Sequence, residues 1–216
     1  MGRRLIVLST VVAVNACAPA PKIDIDAEIE ARVKRIEAKN GPGQDAHLKH
    51  RLIAMAKDDQ AVRRPEYVSD TATPEAVREQ EQTDRRLTIE LKQIVREKGW
   101  PTIRMVGLEA SGDAGIMLAH SSDHSFQELL LPALQKLVST EQVLGSDIAA
   151  IVDKLRVAQG KPQRFGTQFV WSMGRGHMLP CEDAAHLDQR RFEYLLPPMT
   201  EYKQMIEKMY SIRIDE

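Results

Sequence analysis

The chain has 216 residues, 43% of them hydrophobic and 28% charged, and its 30 Lys and Arg residues nearly balance 31 Asp and Glu residues, for a formal charge of -1. This length is sufficient for one domain with a substantial core. Basic and acidic residues are interleaved and only 5% of residues are aromatic, so we expect no nucleic-acid partner. Two cysteines exclude a disulfide framework, and the core must therefore hold the fold together.

The N-terminus has the pattern of an export signal. Arg3 and Arg4 precede an apolar run over residues 5–14, which is half the length of about twenty residues that a membrane-spanning helix needs. The run ends in V-N-A-C, which resembles the lipobox of bacterial lipoproteins, where cleavage before the cysteine exposes a thiol for lipidation. We therefore predict a signal peptide over 1–16. An ordinary secretory signal, or an apolar first helix, remains the alternative.

Lipidation of Cys17 would place the mature protein on a membrane of the cell envelope, with residues 17–22 as the lipid-anchor tether. Ala18 follows the cysteine, in place of the aspartate that retains many lipoproteins at the inner membrane. The resemblance therefore favours the outer membrane over the inner membrane. Loss of residues 1–16 would change the formal charge from -1 to -3 and leave Cys181 without a partner for a disulfide.

Apolar residues recur at helical spacing through most of the remaining chain. Two helices are predicted before residue 58, separated by the N-G-P-G turn at 40–43, and a polar connection follows over 58–73. We interpret 23–72 as a helical arm and 73–216 as the helical domain. The domain starts at Thr73, a capping residue followed by proline.

The predicted fold class is mainly α: a compact multi-helix domain with at most a short hairpin or strand pair. Within it, residues 102–107 are predicted to be a short strand or an extended linker, and 169–171 the second half of a small hairpin. Pro132 is expected to bend its helix or to start a second one.

Two histidines four residues apart, His120 and His124, raise the possibility of a zinc site. Such a pair shares a face only if one helix runs through both residues. Ser121, Ser122 and Asp123 lie between them, and these residues favour the start of a helix over its interior. We therefore predict a break in the helix, no metal site and no cofactor.

A set of short motifs resembles an uncharacterised bacterial domain family that often occurs in lipoproteins or exported proteins. The similarity covers residues 84–202. Its motifs are G-W-P at 99–101, V-G at 106–107, H-x-x-D-x-x-x-Q at 120–127, Q-x-[YF]-G-T-Q at 163–168, and a late segment with Asp188, Arg190 and Arg191. The family commonly has Gln where this chain has Ala119. The resemblance implies a domain of unknown function and no established activity.

The H-x-x-D-x-x-x-Q motif selects the candidate site. His120 and Asp123 are the candidate catalytic pair, as acid or base and its orienting group. We expect Gln127 to bind a polar ligand beside them, and the candidate ligand-binding residues from the later motifs are Gln163, Thr167, Gln168 and Arg191. The same residues also fit a buried polar network that joins a helix junction to a turn.

Two classes of function therefore stay open. The first is a lipid-anchored envelope protein that binds a small polar ligand or an envelope protein. The alternative is a hydrolase-type enzyme that uses His120 and Asp123 as an acid–base pair, and a metal-dependent enzyme is the weaker form of it. The sequence shows no complete catalytic constellation, which favours the first class.

Overall fold

The computed structural model describes residues 24–63, 72–172 and 175–215. The predicted signal peptide, Cys17 and the tether lie outside the described residues. The mainly α prediction is confirmed. The helices of the described part are α1 (Ile25–Asn40), α2 (Ala46–Ala61), α3 (Pro74–Lys98), α4 (Ile103–Val106), α5 (Leu108–His120), α6 (His124–Ser139), α7 (Gly145–Ala158), α8 (Leu187–Glu193) and α9 (Met199–Tyr210).

Side-chain caps start the first long helices where the sequence predicts. Asp45 accepts a hydrogen bond from the backbone N–H of Leu48 at 2.9 Å, and Thr73 accepts one from Ala76 at 3.2 Å. Each bond satisfies one of the amide groups that lack a helical partner in a first turn. Helix α3 ends at Gly99, whose φ of 77° is readily adopted only by glycine.

Residues 103–106 form a one-turn helix, so the strand or extended linker predicted over 102–107 is wrong. Thr102 caps this turn by accepting from the Met105 N–H at 3.3 Å. The Met105 carbonyl in turn accepts the N–H groups of Gln44 and Asp45, both at 2.8 Å. These long-range bonds fix the turn against the start of α2. The sequence of residues 102–107 alone could not predict them.

Helix α6 continues through Pro132 as a single element, so the proline does not start a second helix. Three short strands form the sheet of the described part: β1 (Phe169–Ser172), β2 (Arg175–Met178) and β3 (Arg213–Ile214). β1 is antiparallel to β2, and β2 is parallel to β3. The F-V-W segment is thus the first half of its hairpin and not the second. No helix of the described ranges is long and apolar enough to cross a membrane.

The main core lies between α2, α3, α5, α6 and α7. Leu52 of α2, Leu91 of α3 and Leu118 of α5 are completely buried in it. Helix α2 therefore belongs to the core, and the division predicted at residue 72 separates two helices that share it. Helix α1 packs on a smaller cluster, in which Ile36 meets Ile103 and Leu195.

Candidate functional site

The H-x-x-D-x-x-x-Q motif forms the junction between α5 and α6. Helix α5 ends at His120 and α6 begins at His124, so the chain breaks between the two histidines as predicted. Gln127 is completely buried, and its amide donates to the carbonyls of Leu118 at 2.7 Å and Ser121 at 3.0 Å. Gln127 therefore ties the last turn of α5 to the first turn of α6.

Asp123 caps α6 and does not contact His120. Its carboxylate accepts the Phe126 N–H at 2.9 Å and the ammonium group of Lys92 at 2.5 Å. The hydrogen bond from Lys92, followed by that from Phe126, lowers the pKa of the Asp123 carboxyl. The predicted pairing of Asp123 with His120 is therefore corrected, because both carboxylate oxygens of Asp123 have other partners.

His120 is paired with Asp59, in the last turn of α2. The imidazole Nδ1 lies 2.9 Å from each carboxylate oxygen of Asp59. Asp59 is only 1% exposed and also accepts from Gln60 Nε2 and Arg63 Nη2, both at 2.8 Å. Arg63 in turn forms an ion pair with Asp84 of α3. The carboxylate that binds His120 is thus held by three donors.

The charge of Asp59 is stabilised by these partners. Burial alone would raise the pKa of this carboxyl, but the hydrogen bonds from His120 and Arg63 together outweigh it and lower the pKa to about 2. Asp59 is therefore ionised at neutral pH. An ionised carboxylate can only accept hydrogen bonds, so Nδ1 of His120 carries a proton and Nε2 is the nitrogen with a free lone pair in the neutral ring.

The outer edge of His120 is accessible. One third of its side chain is exposed, and no described residue forms a hydrogen bond with Nε2. Ser121, the adjacent residue, is 1% exposed, and its Oγ is hydrogen-bonded to Thr88 Oγ1 at 2.9 Å and accepts the Asp123 N–H at 3.1 Å. Ser121 is therefore a structural residue and does not serve as a nucleophile.

A lysine fixes the same junction from the other side. Lys154 of α7 donates to the carbonyls of Ala119 at 2.9 Å and Ser121 at 2.7 Å. Burial lowers the pKa of its ammonium group. Backbone groups on both sides of His120 are thus held in place, which makes the imidazole a rigidly positioned group on the surface.

The Q-x-[YF]-G-T-Q motif forms a separate buried network around Asp153 of α7. The carboxylate of Asp153 accepts the N–H groups of Arg164 at 2.6 Å, Phe165 at 3.0 Å and Thr167 at 3.0 Å, and the Thr167 hydroxyl at 2.9 Å. The side chain is completely buried. Asp153 thus fixes the turn over residues 164–167, and Thr167 is one of its hydrogen-bond donors.

Gln163, Gln168 and Arg191 complete this second network. Gln163 donates to the Leu179 carbonyl at 2.6 Å and accepts the Gln168 N–H at 2.8 Å. Arg191 donates to the Phe165 carbonyl at 2.5 Å and lies over the ring of Tyr202, 4.5 Å from its centroid. Gln163 and Arg191 are completely buried. The predicted convergence of these residues on His120 is corrected: their hydrogen bonds within the described part of the chain close the turn, and none of those bonds reaches the histidine.

The sequence did not predict the carboxylate at the centre of either network. These are Asp59 in the first network and Asp153 in the second. Asp59 is 61 residues from His120 and falls in a segment interpreted as a polar connection. Its one local signal is the spacing of Asp59 and Arg63, four residues apart, which favours an ion pair on a helix. Asp153 is bonded to residues 164–167, and these bonds leave no spacing pattern in the sequence.

Within the described ranges, no group of three or more His, Cys, Asp or Glu residues has the arrangement needed to hold a metal ion. His124 is exposed and lies beyond the break that separates it from His120. The zinc pair considered from the sequence is therefore not assembled by these residues.

Comparison with known proteins identifies a family of unknown function. A family model described as a family of unknown function, DUF6624, matches residues 46–215. No curated protein matches the chain. No solved structure matches it either.

Proposed function

Because the chain belongs to this family of unknown function, which brings no activity with it, we propose from the geometry that the protein is an acid–base catalyst of hydrolysis centred on His120. One observation carries the proposal: a buried, ionised carboxylate holds Nδ1 of an accessible imidazole, and no residue in the described part of the chain bonds to Nε2. That arrangement orients a general base in many unrelated hydrolases.

In the proposed step, Nε2 of His120 removes a proton from a water molecule as the water oxygen attacks the electrophilic atom of the substrate. The imidazolium that forms lies against the Asp59 carboxylate, which stabilises its charge. The same Nε2–H then protonates the leaving group, and the imidazole returns to its neutral form. Water is the proposed nucleophile because the adjacent Ser121 hydroxyl is buried and already bonded.

We propose that this chemistry takes place in the cell envelope. The support is the N-terminal sequence, in which a short apolar run over residues 5–14 leads into a lipobox-like pattern that ends at Cys17. Under this proposal a lipid on Cys17 attaches the protein to the membrane, with the outer membrane favoured. Mass spectrometry of the protein isolated from membranes tests it: a diacylglycerol mass on Cys17 supports the anchor, and an unmodified cysteine or an uncleaved N-terminus contradicts it.

Chemical modification tests whether Nε2 of His120 is available as a base. Diethylpyrocarbonate acylates unprotonated imidazole nitrogens, and peptide mass spectrometry reports each histidine separately. A matched control exists in His186, whose Nδ1 lies 2.9 Å from the exposed carboxylate of Asp183. We expect acylation of His120 in the folded protein, at a rate that changes in Asp59→Asn and not in Asp183→Asn. Protection of His120 while His186 reacts would contradict the proposal.

A kinetic test uses p-nitrophenyl esters, phosphates and glycosides as substrates of the chain that starts after Cys17. Loss of a general base costs about 10²- to 10⁴-fold in rate, so we expect His120→Gln to abolish the activity found with the wild type. Asp59→Asn should lower kcat more than it changes KM, because the ring would lose its orienting charge. A hydrolysis rate that His120→Gln leaves unchanged would exclude this residue as the base.

A further inference from the structure

A cavity of about 490 Å³ lies between α6 and α7, and it shares no lining residue with the His120 site. Its volume is in the range of small-molecule sites, about 300–1,000 Å³, and the space between helices of a bundle is a common place for them. We propose that this cavity binds a small zwitterion, a molecule with a carboxylate and an ammonium group on a short apolar body. Three features of the cavity wall suit such a molecule.

The first feature is a pair of arginines that share one acidic partner. Arg156 and Arg164 both pair with one carboxylate, Glu182, at 2.5 Å and 3.9 Å. Arg156 Nε also donates to the Pro162 carbonyl at 2.7 Å. Nη1 of Arg156 and both Nη groups of Arg164 have no hydrogen-bond acceptor among the described residues. Two guanidinium groups that share one acidic residue present donors suited to a second carboxylate.

The backbone that carries Arg164 is held in place before any ligand binds. The N–H groups of Arg164 and Phe165 both donate to the buried Asp153, and the guanidinium of Arg164 lies over the Phe165 ring, 5.7 Å from its centroid. Fixing an anchor in advance lowers the entropy lost on binding. The buried network around Asp153 therefore has a consequence for this cavity, although its own residues are closed to ligands.

The second feature is an acceptor created by the proline inside α6. Pro132 has no N–H, so the carbonyl of Glu128, four residues earlier, lacks its α-helical donor. Both residues line the cavity. One carboxylate oxygen of Glu128 accepts a hydrogen bond from Gln159 Nε2 at 3.3 Å. A carbonyl and a carboxylate on one residue suit an ammonium group.

The third feature is an apolar part of the wall. Leu131, Val152 and Leu155 line it. A branched hydrocarbon body packs on such a surface, whereas a sugar or a free phosphate would leave it without a partner. The three features together supply contacts for a carboxylate, an apolar body and an ammonium group.

Titration of the isotopically labelled chain, followed by amide resonances in NMR, tests the proposal with three probes. Leucine carries both charged groups, 4-methylpentanoate lacks the ammonium group and 3-methylbutylamine lacks the carboxylate. We expect leucine to shift resonances of α6, α7 and Arg164, and each of the other probes to bind at least tenfold more weakly. Equal binding of the three probes, or shifts confined to other parts of the chain, would overturn the proposal.

Substitutions test whether leucine binds in this cavity and not elsewhere on the protein. We expect Arg164→Gln to weaken leucine binding at least tenfold, while Arg104→Gln, a substitution of an exposed arginine on α4, leaves it unchanged. Arg164 is 48% exposed, so this variant should fold even if Arg156→Gln does not. His120→Gln should also leave binding unchanged, which distinguishes this site from the proposed hydrolytic site. An Arg164→Gln protein that binds leucine as the wild type does would refute the assignment.

Discussion

Asp147, in the first turn of α7, is an acidic residue whose environment opposes its charge. Its Oδ2 atom is buried and has no hydrogen-bond partner, and the hydroxyl of Ser146 is 3.4 Å from Oδ1, at the limit of a hydrogen bond. Burial raises the pKa of this carboxyl to about 7, and the nearby Asp113 adds to the effect. A raised pKa means that the folded state binds a proton which the unfolded chain releases.

We expect Asp147→Asn to stabilise the protein in a way that depends on pH. The free energy of unfolding of the wild type should fall as pH rises from the ordinary aspartate value, 3.8, to the folded value of about 7, because over this range the unfolded chain releases the Asp147 proton while the folded state retains it. The neutral amide removes this dependence on pH. Urea unfolding should show a gain of about 1 kcal/mol or more at about pH 8, and little gain at about pH 4.

Asp123→Asn is the matched control, for which we expect the opposite change in the free energy of unfolding. The bonds from Lys92 and Phe126 lower the pKa of Asp123, so its charge stabilises the folded state above the ordinary aspartate value, and this contribution is lost as pH falls through the folded pKa. We expect Asp123→Asn to destabilise at about pH 8, by a fraction of a kcal/mol because the group is part-exposed. A pH-independent difference for Asp147→Asn would contradict the role given to its burial.

At the scale of single residues, the sequence identified positions better than partners. His120 was selected by its motif, and the alternative of a buried polar network describes Gln127 and Gln163 as the structure shows them. The pairing of His120 with Asp59 could not be predicted, since a side-chain hydrogen bond between residues so far apart in the chain leaves no spacing pattern. Only the packing of α2 on α5 creates it.

At the scale of helices, α5 and α7 approach each other closely at two glycines of α5. A Cβ atom on Gly115 would lie 2.9 Å from the Asp147 Cβ and 3.3 Å from its carbonyl oxygen. A Cβ on Gly112 would have its nearest neighbour, an Asp147 carboxylate oxygen, at 3.7 Å, which is ordinary contact. Only Gly115 is therefore required by the distance between the helices.

We expect Gly115→Ala to lower the free energy of unfolding by about 1–3 kcal/mol, the usual cost of overpacking a core. Gly112→Ala should be neutral or stabilising, because alanine favours a helix by about 1 kcal/mol over glycine and meets no clash here. Urea unfolding of both variants, with circular dichroism to confirm helix content, measures the difference. Equal effects of the two substitutions would show that the helices can separate at little cost.

The elements that the sequence predicted well are those with local signals. α3 begins at the Thr73–Pro74 signal and ends at Gly99, as its cap and glycine indicate. The one-turn helix α4 and the order of the hairpin strands were not predicted correctly. Both are too short for periodicity to decide, and their form depends on bonds to distant segments, such as those from Gln44 and Asp45 to Met105.

At the scale of the whole molecule, the decisive question is which part of the chain folds alone. Helix α2 buries Leu48, Leu52 and Met55 in the main core and supplies Asp59 to His120. Helix α1 buries Ile36 in the smaller cluster and attaches to the rest through few polar contacts, among them the bond from Arg32 to the Phe192 carbonyl at 2.9 Å. The two helices of the predicted arm therefore differ in what they contribute.

We expect a chain that begins at Thr73 to be unfolded and a chain that begins at Pro42 to fold. Truncation of one buried leucine or methionine costs about 2–5 kcal/mol, so the loss of three costs about 6–15 kcal/mol, which is comparable to the whole stability of a typical domain, about 5–15 kcal/mol. Without α2 the apolar faces of α3 and α5 would also be exposed to water. The chain from Pro42 keeps the main core and should lose only part of its stability.

Circular dichroism and thermal unfolding of both fragments, beside the chain that starts at residue 18, measure these outcomes. The family match, which begins at residue 46, agrees with the longer fragment as the unit that folds. Cooperative unfolding of the chain from Thr73 would mean that α2 only covers a core already complete without it, and His120 would then need another partner to orient it.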